Sequence, residues 1–237
     1  LVVAPLLLAA INLFHPAEFT NAPGMSAFLS HPQAGDPHFN AIAYFGPQWW
    51  FMMHMIQTPL IMAVSFGLLY LTDTFTAVEG ARHAWWAWIS RVATVVFMTY
   101  YTLLDGISGI GLGRQLMVIN EKLVTGVVND PEAEAIRRFL DHMWVDPWVG
   151  GVGSFISLTG SWAVFVAAGT AAGYLILNRR TSWLVFALLI GFGWELQVGH
   201  ASYHGPVAFS LLALASALQL TRKDASSVAS NPSAAKT

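Results

Sequence analysis

Five side chains that could bind a metal or transfer a proton stand inside apolar segments of this sequence or at their ends. Asp105 and Glu195 each interrupt a long hydrophobic run, and His54 lies in another. His200 and His204 close the run that contains Glu195. An ionisable group in hydrocarbon costs at least about 2.5–3.5 kcal/mol on insertion scales, so these five residues are the first candidates for a functional site.

The histidines predict a metal or haem site. Two histidines four residues apart on a helix can bind one metal ion, and His200 and His204 have that spacing. We predict that these two residues and His54 ligate a transition metal or haem iron. Gln57 shares a helical face with His54 and is predicted to contribute to cofactor binding. The alternative is that His54 only hydrogen-bonds a neighbouring helix and that His204 is solvated at the lipid headgroups.

The two acids are predicted to be catalytic. Asp105 and Glu195 would serve as proton-transfer groups beside the cofactor. They could share a proton with each other or pair with His54 or His200, and the structural alternative is interhelical hydrogen bonding. Four glycines lie between positions 106 and 113, directly after Asp105. Such small residues let a helix or a cofactor approach the backbone closely.

The composition is that of a membrane protein. Hydrophobic residues make up 55% of the 237 residues and charged residues only 10%, against roughly 25% charged residues in a soluble domain. The sequence therefore predicts an all-α, polytopic integral membrane helical bundle whose partners are the lipid bilayer and, in one alternative, other membrane subunits. The net charge of −2 gives no reason to expect nucleic acid binding. The absence of cysteine excludes disulfides, thiolate zinc sites and cysteine-ligated iron–sulfur clusters.

The hydrophobic runs predict about six transmembrane helices in one domain over residues 1–220, followed by a polar, disordered cytoplasmic tail over residues 221–237. The runs lie near residues 1–14, 49–71, 85–112, 151–177, 182–200 and 206–220. The third loop also predicts a short amphipathic helix, because Asn129, Asp130 and Pro131 form a typical helix start. This helix would lie on the outer membrane surface or pack on the outer ends of the protein's own helices.

Basic residues cluster on one side of this topology. They flank the loop between spans two and three, fill the loop between spans four and five, and follow span six: Arg82, Arg91, Arg179, Arg180, Arg222 and Lys223. The first loop, over residues 15–48, contains no lysine or arginine. Because cytoplasmic loops carry an excess of basic residues, we expect a protein of a bacterial-type inner membrane with both termini in the cytoplasm.

This orientation places the polar residues in the outer half of the membrane. At a rise of about 1.5 Å per residue, Asp105 and Glu195 lie about 13 Å below the outer ends of their helices, and His54 about 8 Å. Asn12 and His15 close the outer end of the first span. The sequence thus predicts one polar cavity among the helices, open to the exterior.

The first loop contains a second group of polar residues. His31, Asp36 and His38 lie close together around two prolines, and their side chains could also ligate a metal. A solvated loop is the simpler interpretation of these residues.

Three functions are compatible with the sequence. The first is a membrane redox or metal-binding protein with haem or a transition metal, either an oxidoreductase or its cofactor-binding subunit. The second is a proton-coupled transporter or carrier in which Asp105 and Glu195 titrate. The third is an accessory subunit of a larger membrane complex. The first is preferred, because histidine is the commonest metal ligand and the intramembrane acids lie near the histidines.

Overall fold

The computed structural model describes residues 1–15, 46–72, 83–201 and 203–230, and it confirms the all-α fold. Two of its helices, Ala84–Leu104 and Leu112–Val124, form one continuous rod through a π-helical segment over Asp105–Gly111. The helices in these residues are α1 (Val3–Asn12), α2 (Gly46–Leu71), α3 (Ala84–Leu104), α4 (Leu112–Val124), α5 (Asp130–Trp144), α6 (Phe155–Leu177), α7 (Trp183–Val198) and α8 (His204–Ser230).

Helices α1, α2, α3, α6, α7 and α8 pack as a ring in chain order. Each contacts the next, and α8 returns to α1 and closes the ring. Neighbours run antiparallel: the Trp49 indole at the start of α2 donates to the Phe14 carbonyl just after α1 (3.0 Å), and Thr181 before α7 bonds Gln219 near the end of α8 (2.8 Å). We call the end at which α1 and α7 finish the histidine end, and the opposite end the arginine end.

The interior of the ring is apolar, and so is much of its outer surface. The largest buried side chains of the interior come from all six helices of the ring and include Leu8, Ile61, Leu68, Phe97, Tyr174, Phe192 and Phe209. Large apolar side chains are also exposed on the outside, among them Phe66, Val92, Val95, Trp162 and Leu184. A soluble monomer rarely exposes so much contiguous apolar surface, so these faces fit lipid contact.

Four helices in the described residues are long and apolar enough to cross a membrane. These are Gly46–Leu71, Ala84–Val124, Phe155–Leu177 and His204–Arg222. The other two helices of the ring are apolar but shorter, with 10 residues in α1 and 16 in α7. The bundle therefore agrees with the membrane architecture predicted from the sequence.

The arginine end is held by side chains that bond backbone carbonyls. The Arg91 guanidinium in α3 donates to the Thr72 carbonyl at the end of α2 (3.3 Å). Gln219 in α8 donates to the Arg180 carbonyl (2.9 Å) and accepts from Thr181. These bonds tie the short connections to the helices and satisfy polar groups next to an apolar core.

The short helix predicted in the third loop is present as α5. Its capping box is complete: the Asn129 side chain accepts from the Glu132 backbone (3.0 Å), and the Glu132 carboxylate accepts from the Asn129 backbone (3.0 Å). Pro131 lies in the first turn, where its missing N–H is not needed. The sequence signal was sufficient here because it is entirely local.

Helix α5 packs on the histidine end of the bundle, which was the second of the two predicted placements. Leu140 and Trp144 are buried together with Leu116 and Ile119 of α4. Phe139 on α5 is 61% exposed, so part of its apolar face still points away from the protein. The helix is therefore part of the folded domain and keeps an apolar side chain exposed on its outer face.

Two helices continue beyond the predicted boundaries of the third span and of the tail. The third span was expected to end at Leu112, but the rod continues to Val124, because residues of α4 bury against α5 and stabilise the extra turns. The tail was expected to be disordered from Thr221, but the backbone of α8 is helical to Ser230. Residues 221–230 contain no glycine or proline that would end a helix.

Helices α3 and α6 approach closely, and two glycines of α6 test that packing. A Cβ on Gly160 would lie 3.2 Å from the backbone nitrogen of Tyr101, whereas one on Gly169 would meet only the end of the Ile190 side chain at 3.6 Å. We expect Gly160→Ala to destabilise the protein by about 1–3 kcal/mol, because the neighbouring backbone cannot yield. Gly169→Ala should be neutral or stabilise by up to about 1 kcal/mol, since alanine favours a helix.

Thermal unfolding of the two variants in detergent checks this prediction. Equal melting temperatures for Gly160→Ala and Gly169→Ala would contradict the close contact of α3 with α6.

Candidate metal centre

Three histidines from distant parts of the sequence meet at the histidine end. His15 follows α1, His54 lies in the second turn after Trp49 in α2, and His200 lies in the connection between α7 and α8. Each offers one ring nitrogen, and these three nitrogens lie within 4.8 Å of one another. The ring centres of His15 are 4.9 Å from His200 and 5.5 Å from His54.

The imidazole of His54 is held in a fixed tautomer. Its Nδ1 lies 2.7 Å from the Trp50 carbonyl oxygen, to which only a protonated nitrogen can donate. Its Nε2 is then left with the lone pair that a metal requires. Such a bond from the far ring nitrogen to a carbonyl is the usual way in which a protein orients a histidine ligand.

The π-helical segment makes room for this imidazole. A Cβ on Gly109 would overlap the ring of His54, so only glycine fits at this position. Trp50 connects the same two elements, because its indole donates to the Ser108 carbonyl (3.0 Å). Short π-helical insertions in long helices are frequently found at functional sites.

His200 lies outside the helices and is enclosed by aromatic rings. Its ring centre lies 5.4 Å from that of Tyr101, and His15 packs on it from the other side. Burial, with smaller contributions from His15 and His54, holds the pKa of His200 well below its usual value. The neutral imidazole favoured by this environment is the form that binds metals.

A small cavity lies between the three histidines. Its volume is about 30 Å³, which accommodates an ion with one or two waters. Side chains and backbone from five parts of the chain line it, including His15, Trp50, His54, Asp105, Ser108, Trp144, Gly151 and His200. Trp144 at the end of α5 packs on Gly151 and closes one wall, so the surface helix contributes directly to the site.

Asp105 lines this cavity from the first residue of the π-helical segment. It is only 1% exposed, and neither carboxyl oxygen has a hydrogen-bond partner among the described residues. The Thr58 side chain lies near the carboxyl, but its hydroxyl donates to the His54 carbonyl (2.9 Å). A buried carboxyl group without a partner is costly, so Asp105 is a candidate for contact with a ligand.

The other predicted site residues lie elsewhere. Glu195 and His204 form a pair, with Oε2 2.8 Å from Nδ1, and both side chains are partly exposed. Gln57 is fully buried one turn deeper in α2, and within the described residues its amide group has no hydrogen-bond partner and does not line the cavity. The structure therefore brings together His54, His200 and Asp105, but neither His204 nor Gln57 with them.

His15 takes the third position in the cluster, for which sequence reasoning had chosen His204. The sequence signal that could have identified His15 was its position at the end of the first span, level with the other histidines. The spacing of His200 and His204 misled because α7 ends at Val198, so the two residues do not share a helix. His31, Asp36 and His38 of the first loop lie outside the described residues.

No known protein family, curated protein or solved structure matches this chain. The candidate site therefore rests on its own residues and their geometry.

Two glycines of the π-helical segment provide a matched test of the wall behind His54. We expect Gly109→Ala to lower stability by about 1–3 kcal/mol, because the new methyl group overlaps the imidazole. A Cβ on Gly106 would meet nothing within 4 Å, so Gly106→Ala should leave stability nearly unchanged. Thermal unfolding in detergent compares the two, and a Gly109→Ala protein as stable as Gly106→Ala would disprove the contact.

Proposed function

We propose that this protein is an integral membrane metal-binding protein whose site consists of His15, His54 and His200 and faces the exterior. The observation that carries the proposal is the meeting of three ring nitrogens around one small cavity inside an apolar bundle. An uncompensated polar group is expensive in such surroundings. A cation bound by the three imidazoles would compensate the Asp105 carboxyl, which has no hydrogen-bond partner among the described residues.

Small side-chain movements would bring the three histidines within bonding distance of one metal ion. A tetrahedral ion with bonds of about 2.1 Å to nitrogen needs its ligands about 3.4 Å apart. The three nitrogens lie within 4.8 Å of one another, so side-chain rotation of the order of 1 Å brings them into range. His54 is the least free to rotate, because Trp50 and Gly109 hold its ring. We expect His15 and His200 to make the adjustment.

The size of the cavity favours a metal ion over haem. A volume of about 30 Å³ holds an ion and its waters, whereas a tetrapyrrole needs a slot between helices that is many times larger. Imidazole ligands suit copper, zinc, iron and nickel. The redox role expected from the sequence requires an ion such as copper, iron or nickel, because zinc has no redox chemistry. Metal analysis of the protein purified from its membrane therefore distinguishes a redox centre from a zinc site.

Single histidine variants test the ligand set. We expect His15→Ala, His54→Ala and His200→Ala each to weaken zinc or copper binding by at least about 10–100-fold, because each removes a direct ligand. His204→Ala is the matched control: it removes a histidine from the same end of the bundle, outside the cluster, and should retain wild-type affinity. Titration of the metal-free proteins against a competing chelator measures the affinities.

Two results would overturn this assignment. One is a variant lacking all three clustered histidines that still binds one metal ion per chain with wild-type affinity. The other is a loss of binding in His204→Ala as large as that in His54→Ala, which would restore the ligand set first drawn from the sequence.

The proposed orientation can be tested with single cysteines, because the natural chain has none. Val127, in the α4–α5 connection, is 67% exposed, and Thr221 near the other end of the bundle is also exposed. With both termini in the cytoplasm, Val127→Cys should react with a membrane-impermeant maleimide in intact spheroplasts. Thr221→Cys should react only after lysis, and the reverse pattern would contradict the outward-facing site.

A further inference from the structure

Asp105 is the one acid in the described residues that lines the histidine cavity. Asp105 lies in the π-helical segment that continues α3, whereas the histidines lie just after α1, in α2 and in the α7–α8 connection. Its carboxyl group is buried, faces the cavity and has no hydrogen-bond partner among the described residues. The question that this geometry raises is whether Asp105 is a fourth metal ligand or acts on something bound to the metal.

The distances favour the second role. In the described residues, the group of possible ligand atoms within 4.8 Å of one another consists of the three histidine nitrogens and does not include a carboxyl oxygen of Asp105. Asp105 nevertheless borders the same cavity, so it would face an ion bound by the histidines across a gap. A cavity of about 30 Å³ leaves space in that gap for one small molecule beside an ion.

We propose that the metal keeps one coordination position open toward Asp105, and that the Asp105 carboxylate accepts a hydrogen bond from a water bound there. This inference rests on the proposed metal site. Structural metal sites fill all four positions with protein ligands, whereas three protein ligands and an exchangeable water are typical of sites that react. The geometry thus assigns the centre to the reactive class, with a small exchangeable ligand such as water or an anion.

Tyr101 positions the carboxylate in this arrangement. It precedes Asp105 by four residues, is 1% exposed and is close enough to interact with it electrostatically. Its ring centre also lies 5.4 Å from that of His200, so Tyr101 lies beside one of the proposed ligands. Within the described residues its hydroxyl has no hydrogen-bond partner. We expect this hydroxyl to donate to the carboxylate once a cation is bound.

The negative charge of Asp105 should affect metal affinity and anion affinity in opposite directions. A carboxylate beside the ion strengthens the binding of a divalent cation, and it repels a second anion from the open position. Removing that charge should therefore weaken the metal and strengthen an added anion. A residue that only supports the fold would not change the two affinities in opposite directions.

Cobalt(II) and azide are suitable probes, because the visible spectrum of cobalt reports its coordination. In the wild-type protein, azide should replace the water and change the cobalt spectrum. In Asp105→Asn, we expect cobalt affinity to fall about 10–100-fold and azide affinity to rise several-fold. Glu195→Gln is the matched control, since it removes another acid at the same end, and it should leave both affinities unchanged. Tyr101→Phe should show the same changes as Asp105→Asn, but smaller.

The outcomes separate this inference from the metal site itself. Wild-type protein that binds no cobalt would remove the metal site and the inference with it. A wild-type cobalt spectrum that azide does not alter would overturn the open position alone, whether or not the Asp105 variant folds. Cobalt and azide affinities in Asp105→Asn equal to those of wild type would overturn the role of Asp105.

Discussion

The contact between the imidazole of His54 and the backbone of Gly109 is the constraint on which the site depends. It sets how closely α2 can approach the long rod formed by α3, the π-helical segment and α4. Trp50 bonds to both sides of this contact: its carbonyl accepts from His54 within α2, and its indole donates to the Ser108 carbonyl in the rod. With α2 fixed in this way, one ring nitrogen of His54 faces the cavity.

The closed ring of helices supplies the other half of the arrangement. Because α8 returns to α1, the end of the first helix lies beside the connection between α7 and α8. A Cβ on Gly205, at the start of α8, would overlap the His200 backbone and touch Asn12 in α1, so these segments are in close contact. The ring thereby brings residues almost two hundred positions apart to one point. In an apolar bundle, such a concentration of polar groups is costly.

Local sequence signals were correct wherever the structure they describe is itself local. The capping box of α5 and the apolar length of α2 and α6 could be predicted because each depends on neighbouring residues. Because the rise of a helix is constant, the sequence predicted one layer that contains Asp105, Glu195, His54 and Gln57, with His200 and His204 above it. The choice of His204 over His15 assumed that a helix continues past Val198, whereas α7 ends there.

The sequence by itself determined that this is a helical membrane protein, because composition is a property of the chain alone. Helix rise is one as well, and it predicted that the histidines and acids of the apolar segments lie toward one end. Only the tertiary structure decided which residues meet. Whether His204 turns to Glu195 or to His54 depends on the rotation of each helix about its axis, and that rotation is set by packing. The π-helical segment and the closure of the ring fix this rotation, and neither can be deduced from the spacing of residues along one helix.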